Sequence, residues 1–129
     1  MAAVSDLTDL LHSMQPDLHG EPYGIAAAPP GFAAPGGFAR IAEAEALTVI
    51  APLAELDQMG LTSPQPWARI SLTVHSDLAA VGLTAAIADA LAKKGISANV
   101  VAGFYHDHIF VPWQRRHDAL LALKDLSHA

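Results

Sequence analysis

The sequence predicts an α+β fold in two similar halves, 1–64 and 65–129, with antiparallel sheets and helices packed on one face. Three observations lead there. Arg69 to His75 (RISLTVH) alternates apolar and polar residues with the period of a half-buried strand, and Leu78 to Lys94 carries Leu83, Ile87 and Leu91 at helical spacing. Strand-like and helix-like segments also recur in similar order on either side of the proline-rich stretch Leu61 to Pro66 (LTSPQP), which makes that stretch the best internal boundary. Of the 129 residues, 52% are hydrophobic and 16% charged, which is apolar enough for burial to offset the entropy of ordering the chain.

From the N-terminus, Leu7, Leu10, Leu11 and Met14 share one helical face, with Ser5 or Asp6 placed to cap the free amides and Pro16 to stop the helix. Tyr23 to Ala28 reads as an apolar strand. Pro29 to Gly37 (PPGFAAPGG) holds too many breakers for regular structure and reads as a loop. Phe38 to Ile41 and Ala46 to Ala51 follow as strands, the second nearly all apolar and so central in its sheet. Pro52 opens a short helix through Leu53, Leu56 and Met59 that ends at Gly60. Beyond the boundary, the alternation puts Ile70, Leu72 and Val74 on one side of a strand. The next helix has Ser76 or Asp77 at its entry, Lys93 and Lys94 in its last turn and Gly95 as its stop. Ile96 to Phe104 and Ile109 to Pro112 make strands around a hairpin connection, Tyr105 to His108. A last helix, 114–126, carries Leu120, Leu121 and Leu123.

Two split β-α-β units of the ferredoxin-like type need six elements each, and each half is short of a strand unless the middle strand or a neighbouring subunit completes a sheet. The missing edge predicts intimate packing of the halves and formation of a homodimer, because uncovered sheet edges invite pairing.

Composition excludes several classes of function. A net charge of −6 with seven Lys and Arg residues argues against a nucleic-acid partner. The absence of Cys removes disulfides, thiolate zinc sites and Cys nucleophiles, and fits a reducing compartment. No apolar run reaches the roughly 20 residues that span a bilayer, and no basic segment leads into an apolar signal region, so a cytoplasmic protein with no membrane partner is expected.

Among chemistry-bearing motifs, His106-Asp107-His108 offers metal-ligating residue types. No Cys, HExxH pattern or other dense cluster accompanies it, so the preferred reading is a polar hairpin turn in which Asp107 bonds local backbone; no metal and no cofactor are expected. His75, Ser76 and Asp77 supply the residue types of a hydrolase triad, but three successive residues diverge and cannot converge on one substrate atom. Ser76 is instead expected to cap the helix entry. Arg115, Arg116 and His117 at a helix N-terminus oppose the helix dipole and suggest an acidic partner or an intersubunit carboxylate nearby.

Residues 73–103 (TVHSDLAAVGLTAAIADALAKKGISANVVAG) resemble an ACT domain: a strand, a loop ending in Gly82, an Ala- and Leu-rich helix, the turn KKGIS and a second strand. The segments LTVIAP (47–52), 72–97 and NVVAGFYHDHIFVPW (99–113) are similar to a bacterial family of free-standing tandem ACT-like proteins of unknown function. The resemblance implies two ACT-type halves and a non-catalytic regulatory protein that binds an amino acid or similar small effector at an ACT-type interface. The positions it implies for ligand binding are His75, Ser76, Leu78, Val81, Gly82, Leu83, Asn99, Val100 and Val101. Unpaired amides at the helix entrance would take the carboxylate, and the Asn99 side-chain oxygen the ammonium. The alternatives are a structural or assembly protein with no ligand and a metal-dependent enzyme using His106 and His108.

Overall fold

The computed structural model describes residues 6–73 and 79–128, and the chain divides into two compact units. One takes the described residues of Met1–His19 and Ala68–Ala129; the other is Gly20–Trp67. Packing therefore does not follow chain order, because the N-terminal helix and strand sit in the unit built by the C-terminal half of the sequence.

In the larger unit, α1 (Leu7–His12) starts at Asp6, whose Oδ1 accepts from the Asp9 amide at 3.1 Å. Leu10 and Met14 are fully buried, whereas Leu7 of the same predicted stripe remains 38% exposed. Gln15 takes a positive φ of 40°, and β1 (Pro16–Leu18) then pairs antiparallel with β5 (Trp67–Leu72), Asp17 opposite Ser71. Strand β1 is absent from the sequence reading, which ended the helix at Pro16 and placed nothing after it. β5 alternates as predicted: Ala68, Ile70 and Leu72 are buried and the residues between them are half-buried. Val74, Ser76 and Asp77 lie outside the described residues.

The helix that follows β5 in this unit is α3 (Leu83–Ala92). Gly82 at its entry has φ +100°, so the helical run begins five residues later than Leu78; only glycine takes that conformation without strain. Leu83, Ile87 and Leu91 bury as predicted. At the other end, Gly95 at φ +70° closes a Schellman motif in which the Ile96 amide donates to Leu91 O and the Gly95 amide to Ala92 O. Strands β6 (Asn99–Ala102) and β7 (Asp107–Pro112) form the predicted hairpin, with β7 beginning at Asp107 rather than Ile109. A 3₁₀ turn (Trp113–Arg115) leads into α4 (Arg116–Ser127).

The sheet order in this unit is β1-β5-β7-β6. The missing edge strand beside β5 is thus supplied by the chain's own N-terminus. Ile70, Leu72, Ile109 and Val111 face one core with Leu10, Ile87, Leu91 and Leu123. Of the basic residues at the start of α4, Arg115 and Arg116 have partners within this unit, where an acidic partner or a neighbouring subunit was expected. Arg115 donates to Asp118 at 3.2 Å and to the Lys94 carbonyl at 3.0 Å, and the Arg116 guanidinium stacks 3.9 Å over Trp113.

In the smaller unit, β2 (Tyr23–Ala28) pairs with β4 (Leu47–Pro52), and β4 with β3 (Ala39–Ala42), so the apolar β4 is central as expected. Helix α2 (Leu53–Gln58) follows Pro52 and ends at Gly60, φ +74°, in a second Schellman motif, Leu61 amide to Leu56 O. The proline- and glycine-rich loop replaces a crossover helix. Arg40 ties it down by donating to Ala34 O at 2.6 Å and Gly36 O at 3.3 Å, and Glu55 accepts the Gly37 amide at 2.6 Å.

Candidate functional site

Two places in the larger unit gather chemistry: the entrance to α3 and the sheet face opposite the helices. At the entrance, Val81 is 84% exposed while Leu83, two residues on, is buried in the core. The chain turns between them at Gly82. The first intrahelical bond there runs from the Ala86 amide to Gly82 O, so the amides of Leu83, Thr84 and Ala85 precede the helical series, and Gly82 has no side chain to cap them. The helix dipole adds partial positive charge at this end. Leu7 of α1 closes one side: a Cβ placed on Gly82 would lie 3.2 Å from a Leu7 methyl.

Of the residues predicted to bind ligand, His75, Ser76 and Leu78 lie outside the described residues. Val81, Gly82 and Leu83 are contiguous at the α3 entrance; Asn99, Val100 and Val101 lie on β6, at the end of the strand order. Val100 pairs with the buried Ile109 and packs on the core, which leaves Asn99 and Val101 on the opposite sheet face. Leu83 is buried, Gly82, Val100 and Val101 are half-buried, and Val81 and Asn99 are exposed.

On that opposite face a polar cluster forms that the sequence reading missed. His108 joins it through β7, its side chain pointing away from the core-facing Ile109. Ser71 Oγ lies 2.9 Å from His108 Nδ1 and 2.8 Å from His19 Nε2; Arg69 Nη2 and Nε stand 3.3 and 3.4 Å from the same His108 nitrogen. Guanidinium groups only donate, so Nδ1 of His108 is the acceptor and its ring proton belongs on Nε2. Ser71 then donates to His108 and accepts from His19. Partial burial is the main cause that pushes His108 down to about 4, with the Arg69 guanidinium second and His106 and His19 adding to it. His106 itself stays in the turn, where its carbonyl accepts the Gly103 amide at 2.9 Å.

The tempting HDH motif is therefore split: Asp107 opens a strand opposite Ala102, and His108 works with residues 37 and 39 positions upstream rather than with His106. Among the described residues no group of three His, Cys, Asp or Glu side chains is arranged to hold a metal ion. Nor is any helix among them long and apolar enough to cross a membrane. Only alternation on β5 and β7 could have hinted at the cluster from sequence, since it puts Arg69, Ser71 and His108 on polar faces.

Comparison with known proteins follows the fold. No curated protein matches the chain. A protein of unknown function from Vibrio cholerae, described as a possible transport protein, is 42% identical, with 94% of this chain and 95% of that chain covered and a TM-score of 0.80. A protein from Agrobacterium tumefaciens is 21% identical over 83% of this chain and 84% of its own, at a TM-score of 0.67. The ligand-free regulatory subunit of aspartate kinase from Thermus thermophilus shares the fold at 13% identity and a TM-score of 0.59, covering 88% of this chain and 98% of that one. Two family models, both described as ACT domain, match residues 2–68 and 62–125. Such homology supports a general regulatory role in binding small molecules. With both halves matched, and with an antiparallel sheet and helices on one face, the chain belongs to the ACT domain family as a tandem ACT-domain protein.

Proposed function

We propose that this protein is a non-catalytic regulatory module that binds an amino acid or similar small metabolite at an ACT-type interface centred on the entrance to α3. The observation that carries the reading is Gly82. Its positive φ and missing side chain leave the first amides of α3 to an approaching carboxylate, and the described residues hold no metal cluster. Since Asn99 lies on the sheet face away from α3, its side-chain oxygen is assigned to the ammonium end across the ACT-type interface, and His75, Ser76, Leu78, Val81 and the Val100–Val101 backbone are assigned to the walls. Binding acts on a separate partner or on self-assembly.

Thermal unfolding in the presence of each of the twenty amino acids tests this. A ligand at a hundred times its Kd stabilises the folded state by about 2.7 kcal/mol, a shift of several degrees. The expected result is a rise with one amino acid or a few related ones, diminished in Asn99→Ala. Silence across the whole set would sink the reading and favour a protein whose role is assembly alone.

A further inference from the structure

We infer that His19, Arg69, Ser71 and His108, on the sheet face opposite the helices, form a binding site for an oxyanion, the carboxylate or phosphate group of a small molecule. Strands β1, β5 and β7 lie side by side in the larger unit, and alternation turns these four side chains to one face while Leu18, Ile70 and Ile109 pack on the core behind it. His19 stands just past the end of β1, where its amide donates to the Arg69 carbonyl at 2.9 Å and prolongs the ladder. All four residues are half-buried, so a small ligand can reach them while water screens them only in part. Helix α3 packs on the core side of the sheet, which makes this site independent of ligand binding at Gly82.

Donors here outnumber the acceptor they share. An imidazole nitrogen offers one lone pair. Three donors turn toward that of His108 Nδ1: Ser71 Oγ at 2.9 Å, Arg69 Nη2 at 3.3 Å and Arg69 Nε at 3.4 Å. The hydroxyl takes it at an ordinary distance, and both guanidinium contacts are left longer than the usual range of about 2.7 to 3.2 Å. Nε and Nη2 are also an edge with which arginine grips two oxygens at once. That fork is aimed at a single neutral nitrogen. Two oxygens of a carboxylate or phosphate would satisfy it and leave Nδ1 to Ser71.

The local charges agree with this reading. Arg69, His106 and His19 all act on the His108 ring as bases, and an anion among them would offset their field and raise the ring's affinity for a proton. A metal ion is the poorer occupant, because the Arg69 guanidinium stands within 3.4 Å of the nitrogen that would have to ligate it. Asp17, opposite Ser71 on β1, brings a carboxylate to the same face, but it is exposed and water screens it. Asp107 turns with Ile109 to the other face.

Isothermal titration of the full chain with sulfate and with acetate, at constant ionic strength, tests the inference. Saturable binding of at least one is expected; preference for sulfate assigns the site to a phosphate-bearing molecule, and preference for acetate to a carboxylate. Arg69→Gln is expected to weaken binding about tenfold or more, as the loss of a charge-assisted hydrogen bond does. Arg69→Lys keeps the charge without the fork and should weaken it less, and Asp17→Asn should strengthen it. Circular dichroism checks folding; if Arg69→Gln fails that control, Arg69→Lys and Asp17→Asn decide. The anion should also move the imidazole resonances of His19 and His108 and raise the titration midpoint of His108 from about 4. Shifts confined to the amides of Leu83, Thr84 and Ala85 would place the anion at α3 and overturn the assignment. Failure of both anions to bind, or binding indifferent to the changes at Arg69 and Asp17, would overturn it as well.

Discussion

Strands β4 and β7 lead into helices α2 and α4 through the same local design. In both, the third to fifth residues are buried, Val49-Ile50-Ala51 and Ile109-Phe110-Val111, and the sixth is a proline at φ −51° and −53° that turns the chain into a helix. What they feed differs. The smaller unit fills its core with Ala26, Ala28, Val49, Ala51 and Leu56, and α2 lies so close to β2 that a Cβ on Gly24 would sit 2.5 Å from a Leu56 methyl. The larger unit fills its core with Ile70, Leu72, Ile87, Leu91, Ile109 and Leu123, and it has a ten-residue crossover helix where the smaller unit has a loop. One backbone plan can therefore be stabilised either by large side chains or by close approach of small ones, helped by polar fastenings such as Arg40 and Glu55 on the loop.

The difference predicts unequal sensitivity to cavities. Leu91→Ala, in the middle of the larger core, is expected to cost about 4 kcal/mol, and Leu56→Ala, where Gly24 and small neighbours can close up, about 2 kcal/mol. Urea denaturation of each variant measures both. Equal losses would break the comparison, because they would mean that the smaller unit is packed as rigidly as the larger.

Legibility in the sequence followed the same division. Where side chains are large and periodic, as at Ile70 and Leu72 or at Leu83, Ile87 and Leu91, pattern alone placed them in the core, and they are there. The strand Pro16–Leu18 was invisible because three residues beginning with proline carry no alternation, and their pairing with β5 joins positions more than fifty residues apart. The late start of α3 was obscured by alanines that suit a helix on either side of Gly82, whose φ of +100° no pattern of side chains announces. At the candidate site, Gly82 and Asn99 could be named from the family's pattern. The His19-Ser71-His108 cluster could not, because its members meet only across three strands.

That cluster exists in the larger unit and predicts an acid sensitivity located there. His108 is held at about 4 against an ordinary value near 6.5 in the unfolded chain. Between those values the unfolded state binds the extra proton and the folded state does not, so stability rises with pH. The contribution is complete above pH 6.5 and is lost as pH falls toward 4. Partial exposure keeps it modest. The groups facing the ring are Arg69, Ser71, His106 and His19. His108→Gln removes this titration, so the wild type should lose stability relative to the variant as pH falls from 7.5 toward 4. Parallel stability curves for the two proteins across that range would show that the ring is not kept neutral by its surroundings.

The smallest effect concerns how each unit treats the flank of its first strand. β5 is bordered by β1, which supplies a ladder of backbone partners. Along β2, which meets β5 at Tyr23 opposite Trp67, a side chain serves farther on: Ser63 Oγ accepts the Ile25 amide at 3.0 Å and donates to Gln65 O at 2.7 Å. A single hydroxyl of this kind contributes about 1 kcal/mol net, the usual value for one intramolecular hydrogen bond. Ser63→Ala is accordingly expected to lose about that much in urea denaturation, and Ser63→Thr to retain most of it because the oxygen is kept. Amide exchange supplies a sharper readout, since the Ile25 N–H should lose protection in Ser63→Ala while Ala26 and Ala28, buried on the same strand, keep theirs. Unchanged protection at Ile25 would mean that water replaces the hydroxyl without loss, and that β2 needs no side-chain partner beyond its pairing at Tyr23.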